Sequence, residues 1–109
     1  MNTENVKAQM RKGILEYCVL LILSKKDAYA TDIINVLKNS EVIVVEGTLY
    51  PLLTRQKNYG LLNYRWVESN QGPPRKYYSI TEKGREYLKE LDKFWTELSS
   101  SINKIKNIE

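Results

Sequence analysis

The sequence predicts a mostly helical α+β domain of three helices, a β-hairpin and a long closing helix, and three observations carry that reading. Apolar residues recur at helical spacing over residues 6–23 and again over 88–105. Two aromatic and β-branched runs flank the polar stretch Ser69–Pro74. A single glycine, Gly60, punctuates the boundary between the helical part and the hairpin. At 109 residues the chain is expected to form one domain, and its 42% apolar and 28% charged residues are near the averages for soluble globular proteins. A domain this small buries only about 60 to 65% of its unfolded surface, so a poorly covered apolar helix would seek a partner.

The first helix is expected over residues 6–23, where Val6, Met10, Ile14, Tyr17 and Leu21 fall at spacings of four, four, three and four. Lys25-Lys26-Asp27 interrupts it, and Asp27 is a candidate cap for a short second helix from Tyr29 to Asn39 with Ile33, Val36 and Leu37 inward. Val42–Val45 reads as extended or a short turn, with the third helix following from Glu46 to Tyr59. Pro51 argues that the start of this helix lies close by, because a first-turn proline lacks only an amide hydrogen that has no helical partner. Leu62–Glu68 and Arg75–Ile80 then form the hairpin, and Thr81 caps the final helix. In that helix Leu88, Leu91, Trp95, Leu98, Ile102 and Ile105 are spaced three, four, three, four and three, the heptad seam that two packed helices need.

Composition narrows function by exclusion. The chain has no histidine and one cysteine, so the commonest general base and zinc chemistry are missing, and no glycine loop could cradle a phosphate. Neither an enzyme nor a cofactor is implied. Cys18 lies in the apolar run Tyr17–Leu23 and is expected in the core. That run is seven residues, too short to span a bilayer, and the N-terminus does not read as an export signal, so a cytoplasmic location is expected. Net charge is +4, with +3 of it in residues 46–80, a basic middle segment that permits nucleic-acid binding.

Three helices followed directly by a hairpin is the order of a winged helix-turn-helix, which lays its third helix in the major groove while the hairpin, or wing, reaches the neighbouring backbone. A protein-binding module of the same shape is the alternative reading. The strings Glu46-Gly-Thr-Leu-Tyr-Pro-Leu-Leu53, Gly60-Leu-Leu62, Gly72-Pro-Pro-Arg-Lys-Tyr-Tyr78 and Thr81-Glu-Lys-Gly84, at this mutual spacing, make the chain resemble PadR-like regulators over roughly residues 10 to 100. The short final helix resembles the smaller subfamily. This resemblance implies a dimeric repressor: residues 1–80 would be the DNA-binding winged helix-turn-helix, with the first helix also in the dimer interface. Residues 81–109 would be a dimerisation helix in the same compact unit. Three positions depart from the pattern: Val45 where serine is frequent, Ala30 where glycine is common, and Gln56 where an apolar residue is expected.

The candidate DNA-binding residues are Thr48 and Tyr50 near the start of the third helix, Arg55 and Lys57 further along it, and Arg75 and Lys76 after the rigid Pro73-Pro74 corner. Trp66 is expected to pack within the wing, and one of Tyr77 and Tyr78 to face the core. Leu88, Leu91, Trp95, Leu98 and Ile102 are the candidate dimer-interface residues. Trp95 is either plain core of that seam or one wall of a gap that admits a planar aromatic effector, as some relatives in the short subfamily are known to do. The expected partners are therefore an operator duplex, a second copy and that effector, with no membrane.

Overall fold

A computed structural model describes residues 2–109. Its elements are α1 (Thr3–Lys25), β1 (Ala28–Tyr29), α2 (Ala30–Asn39), α3 (Glu46–Asn58), β2 (Leu62–Val67), β3 (Arg75–Ile80) and α4 (Glu82–Lys106). The three strands form one antiparallel sheet in the order β1-β3-β2. This is the mostly helical winged-helix architecture with a long final helix that the sequence predicts. No helix among the described residues is long and apolar enough to cross a membrane.

The core sits where α1, α2 and α3 meet the sheet, around Val19, Leu20, Ile33, Leu49, Leu53 and Leu62. The periodic stripe that identifies α1 in the sequence is not the stripe that enters this core. Met10 is exposed and Ile14 and Tyr17 are half-buried, whereas Leu15, Val19, Leu20 and Leu23 face inward. In α2 the inner face is Ala30, Ile33 and Leu37, and Val36 is exposed, contrary to expectation. Asp27 does not cap α2, because β1 intervenes and pairs with β3. Tyr29 takes the cap position, its amide donating to Asp32 Oδ2 at 3.0 Å.

The ends of α3 differ in how they are made. Val45 precedes it without a side-chain cap, as the missing serine implies. Pro51 is the sixth residue of α3, not a first-turn residue, so Gly47 lacks the amide that would ordinarily donate to its carbonyl. At the other end Gly60 takes φ 81°, a left-handed conformation that glycine adopts without strain. Its amide donates to Lys57 O at 2.9 Å, and that of Leu61 to Gln56 O at 2.9 Å. Thr81 caps α4 by accepting from the Gly84 amide at 2.9 Å, and its single hydroxyl proton is shared between Gly60 O at 2.7 Å and Leu61 O at 3.1 Å. The end of α3 and the start of α4 thus share one hydroxyl.

Among the described residues Gln56 is the one buried polar residue, at 2% exposure. Its Nε2 donates to the main-chain carbonyl of Glu16 at 3.2 Å, while Oε1 is buried with no partner among the described residues.

Candidate nucleic-acid interface

Around α3 each residue turns about 100°, which sorts the side chains by flank. Leu49, Leu52, Leu53 and Gln56 form the buried side. Tyr50 and Thr54 fall on the flank next to the hairpin, Thr48 on the flank next to α1, and Gly47 and Pro51 look outward between them. Thr48 and Tyr50, proposed together from sequence, therefore stand about 160° apart and serve different surfaces.

The hairpin register sets the other wall. Tyr64 lies opposite Tyr78, and Trp66 opposite Lys76, so these four share one face of the sheet, while Arg65, Arg75 and Tyr77 share the other. Tyr78 enters the core and Tyr77 packs at 4.8 Å against Tyr29, which fits the expected alternation. Burial, and then the neighbouring Tyr50 and Tyr64, push the Tyr78 phenol above its ordinary range. Between α3 and the hairpin lies a cleft of about 390 Å3 lined by Tyr50, Thr54, Thr31, Trp66, Arg75 and Lys76.

The cations in and beside this cleft lie against aromatic rings. Lys76 Nζ sits 4.5 Å from the Tyr64 ring centre and 5.4 Å from that of Trp66, and Lys57 Nζ stands 5.9 Å from Tyr64. The Arg75 guanidinium lies 3.9 Å over the Tyr29 ring and donates to Thr31 Oγ1 at 2.7 Å. Such contacts orient a charge without neutralising it. Arg75 and Lys76 thus reach the cleft with Tyr50 from opposite faces of the hairpin, while Lys57 stands beside the Tyr64 ring outside the cleft lining. Trp66 packs within the wing, edge-on to Tyr64 at 5.8 Å and beneath Lys76, yet remains 61% exposed, an indole presented beside the cleft.

Arg55 is placed elsewhere. Its Nε donates to Glu16 Oε1 at 3.1 Å, and Nη2 contacts the same oxygen, so its charge is balanced by α1 on the flank away from the wing. Sequence reasoning passed over Thr31, Thr54 and the exposure of Trp66. Thr54 was within reach, since it follows Tyr50 at the four-residue spacing that puts two side chains on one helix face.

On the far side of the chain α1 and α4 enclose a second groove, about 490 Å3, lined by Met10, Ile14, Tyr17, Phe94, Trp95 and Leu98 among others. Tyr17 donates to Asp92 Oδ1 at 2.5 Å, and its ring is 6.4 Å from that of Trp95. The hydrogen bond to the carboxylate, with burial second, raises the Tyr17 pKa to about 12. Trp95, Leu98 and Ile102 are exposed, Leu91 is half-buried, and Leu88 at 7% exposure belongs to the core of this chain and offers no surface to another. Cys18 is half-buried, and burial pushes its thiol up, out of the reactive range.

Residues 19–90 match the model of the transcriptional regulator PadR-like family. A PadR-like transcription factor from Bacteroides fragilis is 63% identical, with 93% of this chain and 98% of that chain covered and a TM-score of 0.80. A PadR-like regulator from Bacillus cereus is 38% identical over 93% of this chain and 99% of that chain, with a TM-score of 0.79. An uncharacterized protein of Lysinibacillus sphaericus is 31% identical over 101 residues, 90% of this chain and 93% of that protein. With its winged-helix fold and a cationic, aromatic cleft beside α3, the chain belongs to the PadR-like family of transcriptional regulators, DNA-binding proteins and not enzymes.

Proposed function

We propose that the chain is a homodimeric, sequence-specific repressor in which residues 1–80 read DNA and α4, in 81–109, pairs two copies. The observation that carries the DNA reading is the cleft in which Tyr50, Lys76, Arg75 and an exposed Trp66 converge beside the outward face of α3. The dimer reading is supported by the apolar surface that α1 and α4 leave uncovered in one chain, from Met10 to Trp95, Leu98 and Ile102. Two recognition helices in successive major grooves would take an inverted-repeat operator with half-sites about 34 Å apart.

The same groove supports an effector role. Trp95 keeps 44% of its surface exposed in the single chain, with the Asp92 carboxylate one turn away. Paired copies would hold two indoles about a flat gap suited to a planar aromatic cation. Binding there would bias the angle between the DNA-reading lobes and release the operator.

Gel retardation over a salt series tests the DNA reading. If each subunit neutralises about three phosphates, log K falls against log salt with a slope of roughly −5. Arg75→Ala combined with Lys76→Ala should weaken binding and flatten that slope. A chain that retards no duplex in a random-sequence selection overturns the reading and leaves a protein-interaction module.

A further inference from the structure

The α1 flank of α3 has a groove of its own, about 420 Å3, between α1 and the Val42–Val45 segment that leads into α3. Arg11, Lys12 and Leu15 line it from α1, and Thr48 from the first turn of α3, and no carboxylate lines it. Among the described residues the ion pairs are Lys7 with Glu4 and Arg55 with Glu16, so Arg11 and Lys12 are not neutralised within the chain. For Lys12 this has a specific cause. Glu16, four residues on, is where a helical lysine would find its acid, and Arg55 of α3 holds that carboxylate instead. Glu46, the acid of the first turn of α3, lies outside the groove lining. Gly47 leaves open space where a Cβ would stand, so a nucleic-acid strand can approach the start of α3 closely.

The major groove is roughly 12 Å wide, and a helix with its side chains is about as broad. An inserted helix therefore meets one phosphate backbone on each flank. On the wing flank of α3 the cations are Lys57, Arg75 and Lys76. On the opposite flank Arg55 is already paired, which leaves the exposed Lys12 and the half-buried Arg11, whose position also borders the α1–α4 groove, as the charges able to meet the second strand.

We propose that Arg11 and Lys12 bind the DNA backbone on the side of the major groove opposite the wing, so that α3 enters between two cationic walls. This rests on the DNA reading above, and the experiment separates the two. In the full chain, Arg11→Gln is combined with Lys12→Gln, and affinity is measured by fluorescence anisotropy on selected and random-sequence duplexes across a salt series. Each phosphate that the protein no longer neutralises flattens the slope of log K against log salt by about 0.9. Releasing one or two phosphates per subunit should flatten that of a dimer by about 2 to 4, with affinity lowered roughly tenfold or more on every duplex and discrimination between duplexes retained. The pair Arg11→Lys with Lys12→Arg keeps both charges and should keep the slope. An unchanged slope in the glutamine variant overturns the proposal, and so does a drop in affinity shared by the charge-keeping variant. Absence of salt-dependent binding by the unaltered chain removes the DNA reading together with it.

Discussion

Replacing Gln56 by leucine should make the protein more stable, although it deletes a hydrogen bond. The bond removed is that from Nε2 to Glu16 O at 3.2 Å, long for its type, and a neutral hydrogen bond contributes about 0.5 to 1.5 kcal/mol net. The group removed with it is Oε1, buried and unpartnered among the described residues, which costs about 1 to 3 kcal/mol in the native state. The balance favours leucine by about 1 kcal/mol, and for a domain of this size that raises Tm by about 4 to 8 °C. Thermal melts followed by circular dichroism, at one protein concentration so that any dimer contribution is held fixed, give the shift. Leucine branches where glutamine does not, so Gln56→Met provides the unbranched counterpart in case the core resists the change in shape. A fall in Tm for both variants would refute the reasoning, since it would mean that Oε1 has a partner whose removal outweighs its desolvation.

Three further outcomes follow from the geometry. Gly84→Ala should destabilise by about 3 kcal/mol, the upper end for overpacking, because its Cβ would fall 2.7 Å from Ile80 Cγ1 and closer still to Leu61 O; an unaltered melt would show that α4 is not seated against the sheet as described. The Tyr17 pKa is raised from 10.0 to about 12, so its contribution to stability is fully present below pH 10 and lost as pH rises towards 12. Tyr17→Phe should abolish that alkaline decline, and an identical pH profile in the variant would refute the link. Trp95→Phe should remove the quenching of tryptophan fluorescence by planar cationic dyes while leaving operator affinity intact; quenching that persists would assign the response to Trp66.

The fold was legible where a local rule decided it. Gly60, Thr81 and the two hairpin runs each obey a constraint that a few neighbouring residues impose, and each lies where expected. The strand β1 was not legible, because two residues carry no periodicity and Ala28 and Tyr29 become a strand only by pairing with Tyr78 and Tyr77. The heptad run in α4 was read as one seam, yet its first turns lie against the core of the same chain, so Leu88 is buried there while Trp95 and Ile102 remain exposed. A spacing rule detects an apolar stripe and cannot say which surface covers it. The charges illustrate the same limit: Arg55 and Lys57 look alike in sequence, and only a partner 39 residues away, Glu16, separates them. The wing packing of Trp66 was legible, but not its exposure, which follows from a hairpin register that sets it opposite Lys76 on a rim.

The joint at Thr81 ties the start of α4 to the residues that follow α3. Thr81 N donates to Leu61 O at 3.0 Å, its hydroxyl bridges both helix ends, and Lys83 Nζ reaches the Tyr59 carbonyl at 2.8 Å, so hydrogen bonds from backbone and side chains join the end of α3 to the start of α4. Trp95 lies fourteen residues beyond this fulcrum, about 21 Å along the helix at 1.5 Å per residue. If the two helix ends turned as one body, a sideways displacement of 1 Å at the indole would be a rotation of roughly 3° about Thr81. In that geometry the gain would be set by helix length, and Thr81→Val, which removes both the cap of α4 and the hydroxyl shared with Gly60 and Leu61, would loosen the joint at its fulcrum.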